Sequence, residues 1–358
     1  MSALVDWNLA ERVAVRLAGR EPFAQSYHAS SLEPDLAELV AQAEELVEAT
    51  TGLRSLQGPA RARLVDRAGW IRANIASFQR LLKPLLEKAE THLTHAPGGA
   101  AVVASKLAGV ELGSMLGWMS GRVLGQYDLL VVDDGSAAEQ DIVYFVGPNV
   151  LSLEKRFGFP PREFRLWLAL HEVTHRAQFT GVPWLRPHFL GLVESTLGEI
   201  DPDPQHFFAS LRGAASQLRR GPSALDEAGI FGLIATPNQR ENLQRVGGLM
   251  SLLEGHGDVT MDRAGEGFVP SAERFARVLR ERRKTASAPA RLIQRITGLQ
   301  AKLEQYEAGE RFIAHIEEAA GRDAVDVCWR GPELLPTLAE IKAPDTWLQR
   351  VGLPTATA

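Results

Sequence analysis

The chain has 358 residues, 45% hydrophobic and 23% charged, enough to bury a sizeable core and too apolar for intrinsic disorder. A formal net charge of −5 leaves no basic excess for neutralising phosphates, which argues against nucleic acid as a partner. The single cysteine, Cys328, excludes an intrachain disulfide framework and any multi-cysteine metal site, and it fits a reducing compartment.

The first residues, MSALVDWNLAER, lack the basic start and apolar core of a secretory signal, so a cytoplasmic protein is expected. Over 36–92 apolar residues recur at helical spacing, as in Leu36, Leu39, Val40, Ala43, Leu46 and Val47, which predicts a helical region broken by HAPGG at 95–99. The apolar stretch 100–125 is interrupted by Lys106, Glu111 and Arg122, so it predicts a buried helix and no membrane span. Two short β-like runs, DLLVV at 128–132 and DIVYFV at 141–146, flank the turn-prone DDGSAAEQ and predict a hairpin. Such a hairpin offers an edge to which an extended peptide can add as a further strand.

Pro160 and Pro161 stand just before a strong helix at 162–179, where proline in the first turn costs nothing. Further helices are predicted at 187–197, 207–218, 239–261, 272–284 and 291–320. The basic run RVLRERRK at 277–284 reads as a solvated helix face. The fold is therefore expected to be mainly α with a small β element. It divides into an N-terminal helical region at 1–96, a core at 97–262 and a C-terminal helical region at 263–358.

The core helix carries His171-Glu172-Val173-Thr174-His175, an HExxH motif. On a wheel of about 100° per residue, His175 falls near 40° from His171 and Glu172 near 100°, so the three share one arc. Leu166, Ala169, Leu170, Val173 and Ala177 gather on another side, which is expected to face the core. Two neutral imidazoles one turn apart reach a common zinc ion, and a third protein ligand and a water complete a catalytic zinc site. Glu172 then lies where a carboxylate can take a proton from that water.

Three residues are candidates for the third ligand. Glu194 follows His175 by 19 residues, His188 is nearer in PWLRPHF, and Glu254 lies 79 residues on in SLLEGHGD. Glu254 is favoured because Asp258 follows it by one helical turn, placed to accept the second ring N–H of a ligating histidine. A glutamate among Leu249, Leu252 and Leu253 also needs a charged partner, which zinc supplies. His256 lies nearly opposite Glu254 on the wheel and cannot share the ion with it. An oxyanion donor from outside the zinc helix is sought among Tyr306, His188 and His256. Trp167 and Phe179 read as packing residues, and Cys328 as an inert buried thiol.

LHEVTHRAQF, PWLRPHF, SLLEGHGDVTMD, QYEAGERF and PELLPTLAEIKAPDTWLQRV together resemble a bacterial family of zincin-like metallopeptidases, type two. Its members are often labelled only as hydrolases, and some as associated with biosynthesis of a deazaflavin coenzyme. The resemblance spans about 123–351. It implies a zincin-like core with the HExxH helix and added helices, one zinc ion per chain on His171 and His175, and Glu172 as base. EGHGD is similar to the glutamate helix of the gluzincin group, which implies Glu254 as ligand and Asp258 as its histidine's support. The long separation from His175 departs from that group and keeps Glu194 open.

Two functions are weighed. The first is a cytoplasmic zinc metallohydrolase, a peptidase acting on a peptide or other amide-containing substrate. The alternative is a non-catalytic helical interaction protein with a structural zinc. Glu172 favours the first, since a structural site has no need of a carboxylate beside the metal. A cofactor-binding role in coenzyme metabolism finds no glycine-rich phosphate fingerprint after a strand.

Overall fold

Asp6 opens the first helix, α1 (Trp7–Ala18), by accepting the Leu9 N–H at 2.9 Å, which satisfies one of the donors that every helix start leaves unpaired. The computed structural model describes residues 5–21, 23, 27–83, 98–129, 141–198, 237–284 and 299–355. These divide into two units, one formed by Met1–Gly181 with Thr260–Arg280, the other by Val182–Val259 with Glu281–Ala358.

In the first unit, α2 (Tyr27–Thr51) buries Leu32, Leu36, Leu39, Val40, Ala43 and Val47, a stripe at the spacing of one helix face. It packs on the helix Pro161–Gly181. After α2 come β1 (Arg61–Val65), α3 (Arg67–Leu81) and α4 (Gly98–Ser120). β2 (Gly125–Tyr127), β3 (Ile142–Val146), α5 (Gly147–Phe157) and α6 (Pro161–Gly181) follow. β3 is central, fully buried, parallel to β1 and antiparallel to β2. Phe159, Phe164, Trp167 and Phe275 interlock as an aromatic cluster with ring centroids 4.7–6.2 Å apart.

The structure corrects three expectations in this unit. The region read as continuously helical contains β1, because Gly52 and Gly58 turn the chain at φ 68° and 83° and RARLV finds its partner about eighty residues away in β3. The hairpin's first strand lies at Gly125–Tyr127, earlier than DLLVV, with Leu124 and Asp128 completing its hydrogen bonds to β3. Residues 130–140, including the expected turn, lie outside the described residues. Helix α4 is only half buried: Gly109, Gly113 and Gly117 receive Asp6, Ala10 and Ala14, while Val102, Val103 and Leu107 are 52%, 68% and 59% exposed. A glycine every fourth residue makes a narrow seat for one helix and leaves the opposite face to solvent. Among the described residues no helix is long and apolar enough to cross a membrane.

The second unit contains α7 (Leu185–Gly198), most of α8 (Pro237–Ala264) and α10 (Leu299–Ala320). α9 (Ala272–Lys284) lies largely in the first unit. The predicted helix at 207–218 and the start of that at 291–320 fall outside the described residues. After α10 come two 3₁₀ turns, Arg322–Trp329 and Pro332–Leu334, then α11 (Leu338–Lys342) and α12 (Pro344–Val351). Leu252, Phe312, Ile313, Ile316, Cys328, Ile341, Trp347 and Leu348 form its core. Gly255 and Gly309 let the backbones of α8 and α10 touch, since a Cβ on either would collide with the other helix. The C-terminal segment is locked by polar contacts. Thr337 and Glu340 form a capping box, and Arg350 reaches Glu340 at 2.6 Å and the carbonyls of Glu333 and Leu335.

Candidate metal centre

The motif sits in the middle of α6, which begins at Pro161 and presents Glu163 in its first turn. From Phe164 to Thr180 every residue is buried except His171 and His175, which are half-buried. Glu172 and the two arginines of this stretch, Arg165 and Arg176, are therefore buried charges that must be paired. Arg165 meets Glu154 at 2.8 Å and also Asp35. Arg176 meets Glu44 at 2.6 Å, Asp141 at 2.8 Å and the Gly58 carbonyl at 2.6 Å.

The Nε2 atoms of His171 and His175 stand 3.2 Å apart, with the rings nearly perpendicular at 87°. Two nitrogens bound at 2.0–2.1 Å with a tetrahedral angle between them are about 3.4 Å apart, so the pair fits a shared zinc ion with little adjustment. His175 Nδ1 lies 3.0 Å from Oε1 of Gln178, which is fully buried. An amide oxygen only accepts, so Nδ1 carries the proton and Nε2 keeps the lone pair that a metal needs.

Glu172, 8% exposed, turns to the sheet. Its Oε2 accepts the Tyr127 N–H at 3.0 Å. A Cβ at Gly125 would stand 2.7 Å from its Cγ and from its Oε1, so the carboxylate occupies the space that a side chain there would fill. The Tyr127 hydroxyl donates to Asp141 Oδ1 at 2.6 Å, and its ring stacks on Phe179 at 6.2 Å. The motif thus brings His171, Glu172 and His175 onto one turn of one helix, as its spacing requires.

In the second unit Glu254 and Asp258 lie one turn apart on α8, both half-buried, beside the buried Leu249, Leu252 and Leu253. His256 is buried and meets the Trp329 ring edge-on at 5.1 Å. Glu194 is exposed on α7. His188 is half-buried against Trp184, and burial, then the Arg245 charge, hold its imidazole below the ordinary value. Tyr306 belongs to α10, but its side chain lies outside the described part. Cys328 is fully buried, which drives its thiol pKa far up and keeps it protonated.

Reasoning from sequence missed Gln178, Gly125, Tyr127, Asp141, Arg176 and Glu44. Gln178 had a local signal, three residues after His175 and hence on its face of the helix. The others reach the site through the sheet and through ion pairs between distant segments.

A helix presenting two metal-ready imidazoles and a buried glutamate beside a small sheet defines a zincin-type arrangement. The family model described as zincin-like metallopeptidase matches residues 5–348, and the chain belongs to that family. A crystal structure from Chloroflexus aurantiacus, described as a "putative hydrolase with a novel fold", is similar over 98% of this chain and 99% of its own, with 30% identity and a TM-score of 0.71. No curated protein matches the chain. The family implies a zinc cofactor, for which the paired imidazoles are chemically suited.

Proposed function

We propose that this chain is a zinc-dependent hydrolase, and specifically a peptidase that cleaves a peptide or other amide bond. The observation that carries the reading is the Glu172 carboxylate, buried and held one residue from a histidine pair whose Nε2 atoms are 3.2 Å apart. His171 and His175 hold the ion through those nitrogens, and Glu254 is the third, anionic ligand. Asp258 accepts the remaining ring N–H of His171 and keeps that ring turned to the metal. The exposure of Glu194 speaks against it as a ligand, because a hydrated carboxylate has little to gain from leaving water.

Zinc, when bound, polarises a substrate carbonyl and makes water a better nucleophile near neutral pH. Glu172 takes the proton of the attacking water as the new C–O bond forms, and returns it to the amine nitrogen as the C–N bond breaks. Each proton the water loses is accounted for at that carboxylate or at the departing amine. A structural zinc would need the imidazoles and the acidic ligand, but not a base held beside them.

The test is Glu172→Gln, which keeps size and removes the base. Zinc content is expected to stay near one per chain while hydrolysis falls at least about a hundredfold. The substrate is any peptide that the wild type cleaves from a library, with and without chelator. Glu254→Ala is expected to weaken zinc binding greatly and Asp258→Asn roughly 10–100-fold, with Glu194→Ala near wild type. A fully metallated wild type that cleaves nothing in a broad library would favour the interaction-protein reading, and equal cleavage by Glu172→Gln would remove Glu172 as the base.

A further inference from the structure

We propose that the short strand β2 is the mount of the base: Tyr127, backed by Asp141 and Arg176, positions the carboxylate of Glu172, and residue 125 must be glycine to admit it. The function of that mount in turnover rests on the hydrolase reading above.

β2 lies at the edge of the sheet. Its even-numbered residues serve β3: Val146 donates to the Leu124 carbonyl at 2.9 Å, Asp128 donates to the Ile142 carbonyl at 3.1 Å, and Gln126 stands opposite Tyr144. In an antiparallel pair the alternate residues then turn their backbone groups the other way. Gly125 and Tyr127 are those residues, and both meet Glu172. An edge position that ordinarily awaits another strand is used here to hold a side chain.

The strand is tied back to the helix it serves. Tyr127 is 7% exposed, and its hydroxyl donates to Asp141, 4% exposed and held at φ 62°, a conformation that non-glycine residues seldom adopt. Asp141 pairs with Arg176, which lies on α6 one turn beyond Glu172. A closed circuit results, from Glu172 to the Tyr127 N–H, through its ring to the hydroxyl, to Asp141, to Arg176 and back along one helical turn. Glu44 and the Gly58 carbonyl anchor Arg176 from outside the circuit. Every member of the circuit is at least nine-tenths buried, so its contacts lie in a low-dielectric setting where their geometry is strongly enforced. A proton-transferring group gains most from such fixing, since a misplacement of about 1 Å costs on the order of a hundredfold in rate.

The experiment is a double-mutant cycle between residues 125 and 172, read in two ways. In metal-free protein, Gly125→Ala is expected to lower the urea midpoint in the wild-type background and to have little effect in Glu172→Ala, where the carboxylate has been removed. In zinc-loaded protein, on a fluorogenic peptide that the wild type cleaves, Gly125→Ala is expected to lower kcat about a hundredfold and Tyr127→Phe or Asp141→Asn about tenfold, with KM and zinc content unchanged. In Glu172→Ala the same second changes leave the residual rate where it is. Equal loss of stability from Gly125→Ala in both backgrounds overturns the mount. So does a rise in KM with kcat unchanged, which would place the strand in substrate binding. Stability coupling without any turnover by wild type leaves the mount standing and sinks the hydrolase reading alone.

Discussion

Gln178→Leu removes the acceptor of the His175 Nδ1 proton while nearly keeping the volume of a side chain that is fully buried. Because His175 is half-buried, leaving its donor without that acceptor costs at most about 1–3 kcal/mol, the penalty of a fully buried group. That cost is relieved if the ring rotates or moves its proton to Nε2, and either change withdraws the lone pair from the metal. At about 1.4 kcal/mol per factor of ten, the expected result is a roughly 10–100-fold weaker affinity for zinc, the range typical of removing such a support. Competition against a chromophoric chelator at fixed pH measures the affinity, and urea unfolding of the metal-free protein measures how much of the loss belongs to the fold. Gln178→Glu preserves an acceptor and is expected to retain zinc affinity, at a cost to metal-free stability from an added buried charge. Unchanged affinity in Gln178→Leu would refute the reasoning, as would an equal loss of metal-free stability from Gln178→Leu in a His175→Ala background, where no Nδ1 proton remains to be held.

Gly113→Ala puts a methyl group against the Ala10 carbonyl where α1 and α4 touch, and is expected to destabilise by about 1–3 kcal/mol in urea unfolding, while Leu107→Ser on the exposed face of α4 stays within about 0.5 kcal/mol of wild type. Cys328 is fully buried with its thiol pKa raised, so it is expected to resist alkylation at pH 8 in the native protein and to label once per chain in denaturant, as counted by mass spectrometry.

What could be read directly from the sequence was what is local. HExxH needs only the period of a helix to bring two imidazoles and a carboxylate onto one turn, and the prolines at 160 and 161 marked its start nearly to the residue. The predicted helices at 187–197, 239–261 and 272–284 appear with ends shifted by at most three residues, because their apolar repeats and flanking breakers are also local. β1 escaped because Arg61 and Arg63 interrupt an apolar pattern and its partner is distant in sequence. The exposure of Val102, Val103 and Leu107 escaped because hydrophobicity alone does not say which face a neighbouring helix will cover. Around Glu172, a glycine and a tyrosine in GQY carried no sign that they would meet its carboxylate, since that meeting depends on which edge of the sheet faces α6.

Arg165 and Arg176 are about three turns apart on α6, so both project from nearly the same side, each clamped by acids from other segments, while Glu172 between them is clamped by β2. The helix is thereby keyed like a shaft held at three points and has no freedom to turn about its own axis. One residue inserted or deleted between the two arginines would rotate one end by about 100° against the other and release at least one clamp, exposing a buried charge to an apolar wall. The apolar residues from Leu166 to Leu170 can therefore be exchanged among similar volumes far more freely than their number can change. Length, more than composition, is the conserved quantity that this arrangement demands of any working variant of the segment.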